Sequence, residues 1–218
     1  MVAAEDTRRS GQLLAHFGLR KPLLSYFRFN EARRSEQLIE RLRRGETVAL
    51  VTDAGSPGIS DPGERVVRAA LAAGCRVEPV PGPCALIAAL TASGLPTGEF
   101  HFVGFLPHKS GQRRCVLERL RDLPCTLVLY ESPHRMERLL RELAEGLPDR
   151  QTVLARELTK KFEELRRGTP AELLVAGAQR AWRGEFVVLI EPPRVASDAT
   201  PMSEEVEAPA ASDPDGLR

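Results

Sequence analysis

One stretch constrains this chain more than any other. Residues 47–52, TVALVT, form a short apolar, β-branched run, the composition of a buried strand. A loop of small residues follows, DAGSPGISDP over 53–62. Asp61 and Pro62 supply a capping residue and a first-position proline for a helix predicted through Val66, Val67, Ala70 and Leu71 to Gly74. CRVEPV, 75–80, reads as the next strand. Strand, helix and strand span 34 residues, the size of a βαβ unit. The expectation is a parallel sheet with helical crossovers.

The rest of the chain follows the same alternation. SEQLIERLRR, 35–44, predicts a helix with Ser35 as N-cap and Gly45 as its stop. PGPCALIAALTASGLP, 81–96, predicts a turn and a helix apolar all round, which must be buried. Its end near Gly94 and Pro96 reads as a domain junction. Beyond it, strands are predicted at 100–107, 126–131, 152–159 and 185–191, with helices over 111–122, 132–147 and after Thr169–Pro170. Residues 162–169 fit a strand or a turn. The fold class is therefore α/β, divided into an N-terminal unit over 1–96 and a C-terminal unit over 97–193. From 194 the pattern collapses, and 194–218 reads as a disordered acidic tail.

Composition matters mainly for what it excludes. No apolar run in the 218 residues approaches the roughly 18 that a spanning helix needs. The opening MVAAEDTRRS turns charged at Glu5, unlike a secretory signal. A cytoplasmic chain without a membrane partner is expected. Cys75, Cys84, Cys115 and Cys125 show no CxxC spacing and read as buried thiols in a reducing compartment. They form no ligand cluster with His16, His101, His108 and His134, so no metal is expected.

Charge is unevenly placed. The net charge is +1, yet 195–218 carry six acids against Arg218, net −5, which leaves +6 on the remainder. Of 31 basic residues only four are Lys. Arg suits phosphate, but a GC-rich coding sequence also favours it. In SYFRFNE, 25–31, Tyr26, Phe27 and Phe29 interleave with Arg28. Such a pattern suits stacking on unpaired bases, and it equally suits core packing.

Ligands of open α/β sheets gather beyond the C-terminal ends of strands. Four segments qualify. Asp53, Ala54, Gly55, Ser56, Pro57 and Gly58 follow the first run; the spacing is neither GxGxxG nor a phosphate-binding P-loop. Pro81, Gly82, Pro83, Cys84 and Ala85 follow the second. Tyr130, Glu131, Ser132, Pro133 and His134 close the strand at 126–131, and Arg156, Glu157, Leu158, Thr159 and Lys160 close that at 152–156. Charge at that last end must be ion-paired or face a cleft.

Together these motifs resemble the ribosomal RNA small subunit methyltransferase I family, a branch of the tetrapyrrole methylase superfamily. The matching segments, in order, are AEDTR (4–8), SYFRFNE (25–31), DAGSPGISDPG (53–63), PGPCALIAALTASGLP (81–96), GFLPHKS (104–110), YESPHR (130–135), ARELTK (155–160) and RGEFVVLIE (183–191). The resemblance covers roughly residues 2–192. It implies two α/β domains of the class III methyltransferase type, with the ligand cleft between them, assembled as a homodimer. It implies S-adenosylmethionine as cofactor. The implied reaction is methyl transfer to the 2′-hydroxyl of a cytidine in 16S ribosomal RNA of the small subunit, near the decoding centre.

By position, the resemblance places donor contacts on Ala54, Gly55, Ser56 and Ile59, on Cys84 and Ala85, on Tyr130 and Glu131, and on Leu158. A ribose hydroxyl is a poor nucleophile, so a base or a stabilising charge is expected, with Asp53 and Lys160 foremost among Asp6, Asp53, Glu131, Glu157 and Lys160. Arg8, Arg9, Arg28, Arg33 and Arg34 are the expected phosphate contacts. The family pattern has a further strand and a Thr–Pro–Ile–Gly–Asn-like turn ahead of AEDTR, which here starts at residue 4, so that strand is expected to be missing. The family's His near 27–29 is replaced by Phe27, Arg28 and Phe29. Two other readings fit the same fold: a methylase of a tetrapyrrole precursor, and an inactive RNA-binding scaffold.

Overall fold

The computed structural model describes residues 1–178 and 181–193. The predicted acidic tail lies outside them. Two sheets organise the chain. The first is three-stranded and wholly parallel, in the order β2-β1-β3, from β1 (Val2–Ala4), β2 (Leu23–Ser25) and β3 (Ala49–Val51). Helices α1 (Thr7–His16), α2 (Glu31–Arg43) and α3 (Glu64–Ala72) connect or follow these strands. A small cluster of Ala3, Tyr26, Leu38 and Val66 is the core here.

The second sheet has five strands in the order β4-β5-β8-β6-β7. They are β4 (Phe100–Phe105), β5 (Thr126–Glu131), β6 (Thr152–Arg156), β7 (Glu164–Gly168) and β8 (Phe186–Ile190). Only β4 and β5 pair in parallel; β8 runs antiparallel to both β5 and β6. Strands β5, β6 and β8 are almost wholly buried because layers cover both faces. Helices α5 (Ser110–Leu120), α6 (Pro133–Gly146) and α7 (Pro170–Ala178) contribute Leu117, Leu120, Met136, Leu139, Leu140, Leu143 and Leu173 to one face. Helix α4 (Ala85–Ser93) packs Leu86, Ala89 and Leu90 on the other, against Val128, Val153, Val187 and Leu189. Arg167 of β7 caps its C-terminus, donating to the carbonyls of Ala92 and Ser93 at 2.7 and 2.9 Å, where the helix dipole favours a cation.

Several expectations need correction. Residues 75–80 join neither sheet, so the predicted βαβ unit lacks its closing strand: apolar alternation makes a strand only where a neighbour supplies the ladder. Strand β3 is an edge strand with Ala49 exposed, not a buried one. Helix α2 starts one turn early, at Glu31, and Ser35 is buried inside it. Helix α3 starts at Glu64, after Asp61–Pro62. Helix α4 is buried along one side only; Ile87, Thr91 and Ala92 are exposed. Uniform apolarity says nothing about how many neighbours a helix finds. Of the cysteines, Cys115 is exposed and the other three are half-buried, all as free thiols. Among the described residues no helix is long and apolar enough to cross a membrane.

Candidate functional site

The strand ends of the first sheet gather acidic and hydroxyl groups. Glu5 follows β1 and Thr52 follows β3, and the parallel register brings the two together. Thr52 Oγ1 donates to Glu5 Oε2 at 2.5 Å, and the Asp53 N–H reaches the same oxygen at 3.2 Å. Asp61 lies beside them. Burial pushes its carboxyl up, and the charges of Glu5, Asp53 and Glu185 add to the shift against a hydrogen bond from Thr52. Asp53 itself pairs with Arg9 at 3.4 Å.

The small-residue loop 53–63 bridges to its neighbours. Ser56 Oγ donates to the Pro83 carbonyl at 2.9 Å, which joins the two glycine–proline loops. At its far end, the Gly63 N–H donates to Glu31 Oε1 at 3.1 Å. A side chain at Gly63 would put its Cβ 2.9 Å from the Gly58 nitrogen, a contact real Cβ atoms do not make. Ser60 reaches towards the second sheet: its Oγ lies 3.1 Å from where a Cβ would sit on Gly104, at the register shift of β4.

Helix α4 joins this arrangement to β5. The Leu86 N–H donates to the Tyr130 hydroxyl at 3.1 Å, satisfying one of the orphan donors of a helix start. Tyr130 stacks edge-on with Phe102 and Phe105. Burial, with Cys84 as a lesser cause, pushes its phenol up to about 12, so it stays a neutral donor. Glu131 is buried, and burial raises its carboxyl despite the Ser132 N–H and the charges of Arg135, Arg113 and His108. Its Oε1 accepts from Ser132 N at 2.7 Å. Its Oε2 has no hydrogen-bond partner among the described residues, which leaves one buried acceptor over.

The charged group closing β6 resolves into ion pairs. Lys160 Nζ donates to Glu185 Oε2 at 2.7 Å and to Glu157 Oε1 at 3.0 Å. These bonds hold the ammonium above its ordinary value, the wrong direction for a base. Arg156 faces Glu164 at 3.5 Å. Leu158 packs on the α4 face of the second sheet, while Ile59 is exposed on its loop.

The Ser56–Pro83 bond ties the loop that carries Ala54, Gly55 and Ser56 to the turn that leads into Cys84 and Ala85, with Tyr130 one hydrogen bond from the start of α4. Sequence reasoning missed Asp61, taken only as a helix cap. Its position beyond a strand end, inside the small-residue loop, was the available signal. It also missed Glu31, whose carboxylate ties the loop to β2. The predicted phosphate-binding arginines divide into two sets. Arg8 is bound to Asp6 at 2.7 Å and Arg9 to Asp53, whereas Arg28, Arg33 and Arg34 form no ion pair among the described residues. No group of three or more His, Cys, Asp or Glu suited to a metal occurs among the described residues.

A family model described as tetrapyrrole (corrin/porphyrin) methylases matches residues 2–174. Solved structures share the fold. The methyltransferase CobJ has a TM-score of 0.60 at 20% identity, covering 89% of this chain and 95% of its own. Uroporphyrin-III C-methyltransferase from Thermus thermophilus, complexed with S-adenosyl homocysteine, has a TM-score of 0.56 at 22% identity, covering 86% and 84%. Parallel and mixed sheets with loops converging at strand ends, together with the family match, define the class: the chain belongs to the tetrapyrrole methylases. Closer relatives narrow this. Ribosomal RNA small subunit methyltransferase I of Xylella fastidiosa (strain Temecula1) is 52% identical over 194 residues, covering 88% of this chain and 71% of the relative. The protein of that name from Pseudomonas aeruginosa is 50% identical over 193 residues, covering 87% and 68%. Within the tetrapyrrole methylases, the chain belongs to the ribosomal RNA small subunit methyltransferase I family.

Proposed function

We propose that this chain transfers a methyl group from S-adenosylmethionine to the 2′-hydroxyl of a cytidine in 16S ribosomal RNA, near the decoding centre. The observation that carries the reading is identity of 44–52% over most of the chain to relatives named for small-subunit ribosomal RNA methylation. The site residues fit the donor. The Ser56–Pro83 bond holds together two loops of small residues that leave backbone groups open to a ligand. Glu131 keeps a spare buried acceptor. On this reading Ala54, Gly55, Ser56, Ile59, Cys84, Ala85, Tyr130, Glu131 and Leu158 hold the donor between an N-terminal unit, 1–96, and a C-terminal unit, 97–193. The donor supplies a methyl group on a good leaving group, so positioning is the main task of the protein.

Asp53 takes the ribose proton, beside Asp61, whose carboxyl burial and the neighbouring acidic groups push up. Lys160 keeps its proton and acts as a charge beside the developing alkoxide. The reading includes a cytoplasmic homodimer acting on the small ribosomal subunit.

The test is radiolabelled methyl transfer from S-adenosylmethionine, with small subunits that lack the modification offered beside uroporphyrinogen. Label in 16S RNA, at a bond resistant to alkaline hydrolysis, is expected. Label in the porphyrinogen instead would make the chain a tetrapyrrole-precursor methylase. RNA binding with no label and no calorimetric heat from S-adenosyl homocysteine would make it a scaffold.

A further inference from the structure

The segment after β2 separates its aromatics sharply. Tyr26 is 1% exposed, with its hydroxyl 3.2 Å from Ser35 Oγ and donating to Glu31 Oε1 at 3.1 Å. Phe27 is 38% exposed and Phe29 89%. A phenylalanine that open to water gains nothing from folding. The two rings nevertheless lie together, edge to face, with centroids 6.2 Å apart.

They are also held in place. Asn30 Oδ1 accepts the Phe27 N–H at 2.8 Å, Asn30 Nδ2 donates to the Ser25 carbonyl at 3.2 Å, and the Asn30 N–H donates to the Phe27 carbonyl at 2.9 Å. Below the turn, Glu31 joins Tyr26 to Gly63, the end of the small-residue loop. The rings therefore stand on a turn wired to the site. Beside them in the chain are three arginines with no carboxylate partner among the described residues: Arg28 and Arg33 are exposed, and the Arg34 side chain donates to Gln37 at 2.7 Å. Most other arginines of the N-terminal region are engaged, as Arg8, Arg9, Arg41 and Arg44 are.

We propose that Phe27 and Phe29 form a stacking platform for unpaired bases of the RNA substrate, with Arg28, Arg33 and Arg34 neutralising the adjoining phosphates. Aromatic faces accept any unstacked base, and arginines beside them follow the backbone. The charge chooses this occupant: a purely apolar partner would bury three unpaired cations at cost. The platform rests on the RNA-methylation reading and adds the class of contact, single-stranded rather than duplex.

The test uses the full chain, a short unstructured cytidine-containing RNA and a perfect RNA duplex of equal length, with binding followed by fluorescence anisotropy. Phe29→Ala should weaken the single strand by at least about fivefold, leave the duplex within twofold, and leave calorimetric binding of S-adenosyl homocysteine unchanged. Phe29→Trp should restore single-strand binding, with emission quenched by the bound RNA. Equal affinity of Phe29→Ala and wild type for the single strand would overturn the platform while leaving the methylation reading intact. So would equal losses on both RNAs, or a dimer turned monomer in sedimentation, which would make the rings a contact between copies. Failure of the wild-type chain to bind the single strand would overturn the platform, and failure to bind small ribosomal subunits as well would overturn both.

Discussion

The two sheets differ in almost everything but their α/β character. The second has five strands, helices over both faces and a continuous leucine-rich core. The first has strands of three residues and a core cluster of four buried residues. Yet the first sheet carries the acidic strand ends, the small-residue loop and the aromatic turn. Buried surface is concentrated in one region, whereas the proposed site draws on both: the small-residue loop of the first, and Tyr130, Glu131 and Lys160 at the strand ends of the second. Loops that must accommodate ligands sit on the sheet with less buried surface, and they are braced against the stronger one through Leu86–Tyr130 and the Ser60–Gly104 approach.

Breaking the second region should cost most. Arg113 and Glu142 are buried and joined by two hydrogen bonds, with Ser110 and Pro107 completing the network. Arg113→Ala leaves the buried carboxylate with only Ser110 and the half-exposed Arg138, 3.5 Å away, and should lose about 3 kcal/mol in urea unfolding. The pair also makes this region acid-sensitive. Burial would raise the Glu142 carboxyl, but the Arg113 hydrogen bond and charge outweigh it and hold the group below its ordinary value. Its stability is therefore present above pH about 4.5 and lost as pH falls through the lowered value. Hydrogen exchange in α5 and α6 should accelerate there in the wild type and lose that dependence in Glu142→Gln.

Changes in the first region should leave folding intact and remove activity. Asp53→Asn should lower the methyl-transfer rate about a hundredfold, with melting temperature within two or three degrees, or about 0.5 kcal/mol. At the end of β6 in the second region, Lys160→Met should lower it less and should not shift the pH profile, because the ammonium keeps its proton. A shifted profile would restore Lys160 as a base.

A smaller effect separates core from surface inside the first region. Tyr26→Phe removes the hydroxyl shared by Glu31 and Ser35 and should cost about 1 kcal/mol, with weaker S-adenosyl homocysteine binding because Glu31 also anchors Gly63. Unchanged binding would show that the turn and the loop are uncoupled. Smallest of all, Arg68→Ala removes an exposed i,i+4 pair with Glu64 and should change stability by under about 0.5 kcal/mol.

Much of the second sheet was legible in advance. Strand β5 falls where TLVLYE placed it, and α6 begins at the predicted Pro133, because buried strands and proline-started helices are written locally. The first sheet was less legible. Residues 75–80 carry a strand's composition without a partner, and Ser35 looks like a cap but serves Tyr26 from inside a helix. Neither a ladder partner nor a buried hydroxyl contact is a local property.

For the site, the sequence by itself determined the family, the small-residue loops and the strand ends where ligands collect, since glycine, proline and capping residues act within a few positions of themselves. Tertiary structure alone decided that Lys160 is held protonated between two carboxylates, that Asp61 shares a half-buried corner with Glu5, and that Tyr26 turns inward while Phe27 and Phe29 turn out. Lys160 and Glu185 are 25 positions apart and Asp61 and Glu5 are 56 apart, brought close by sheet register and helix packing.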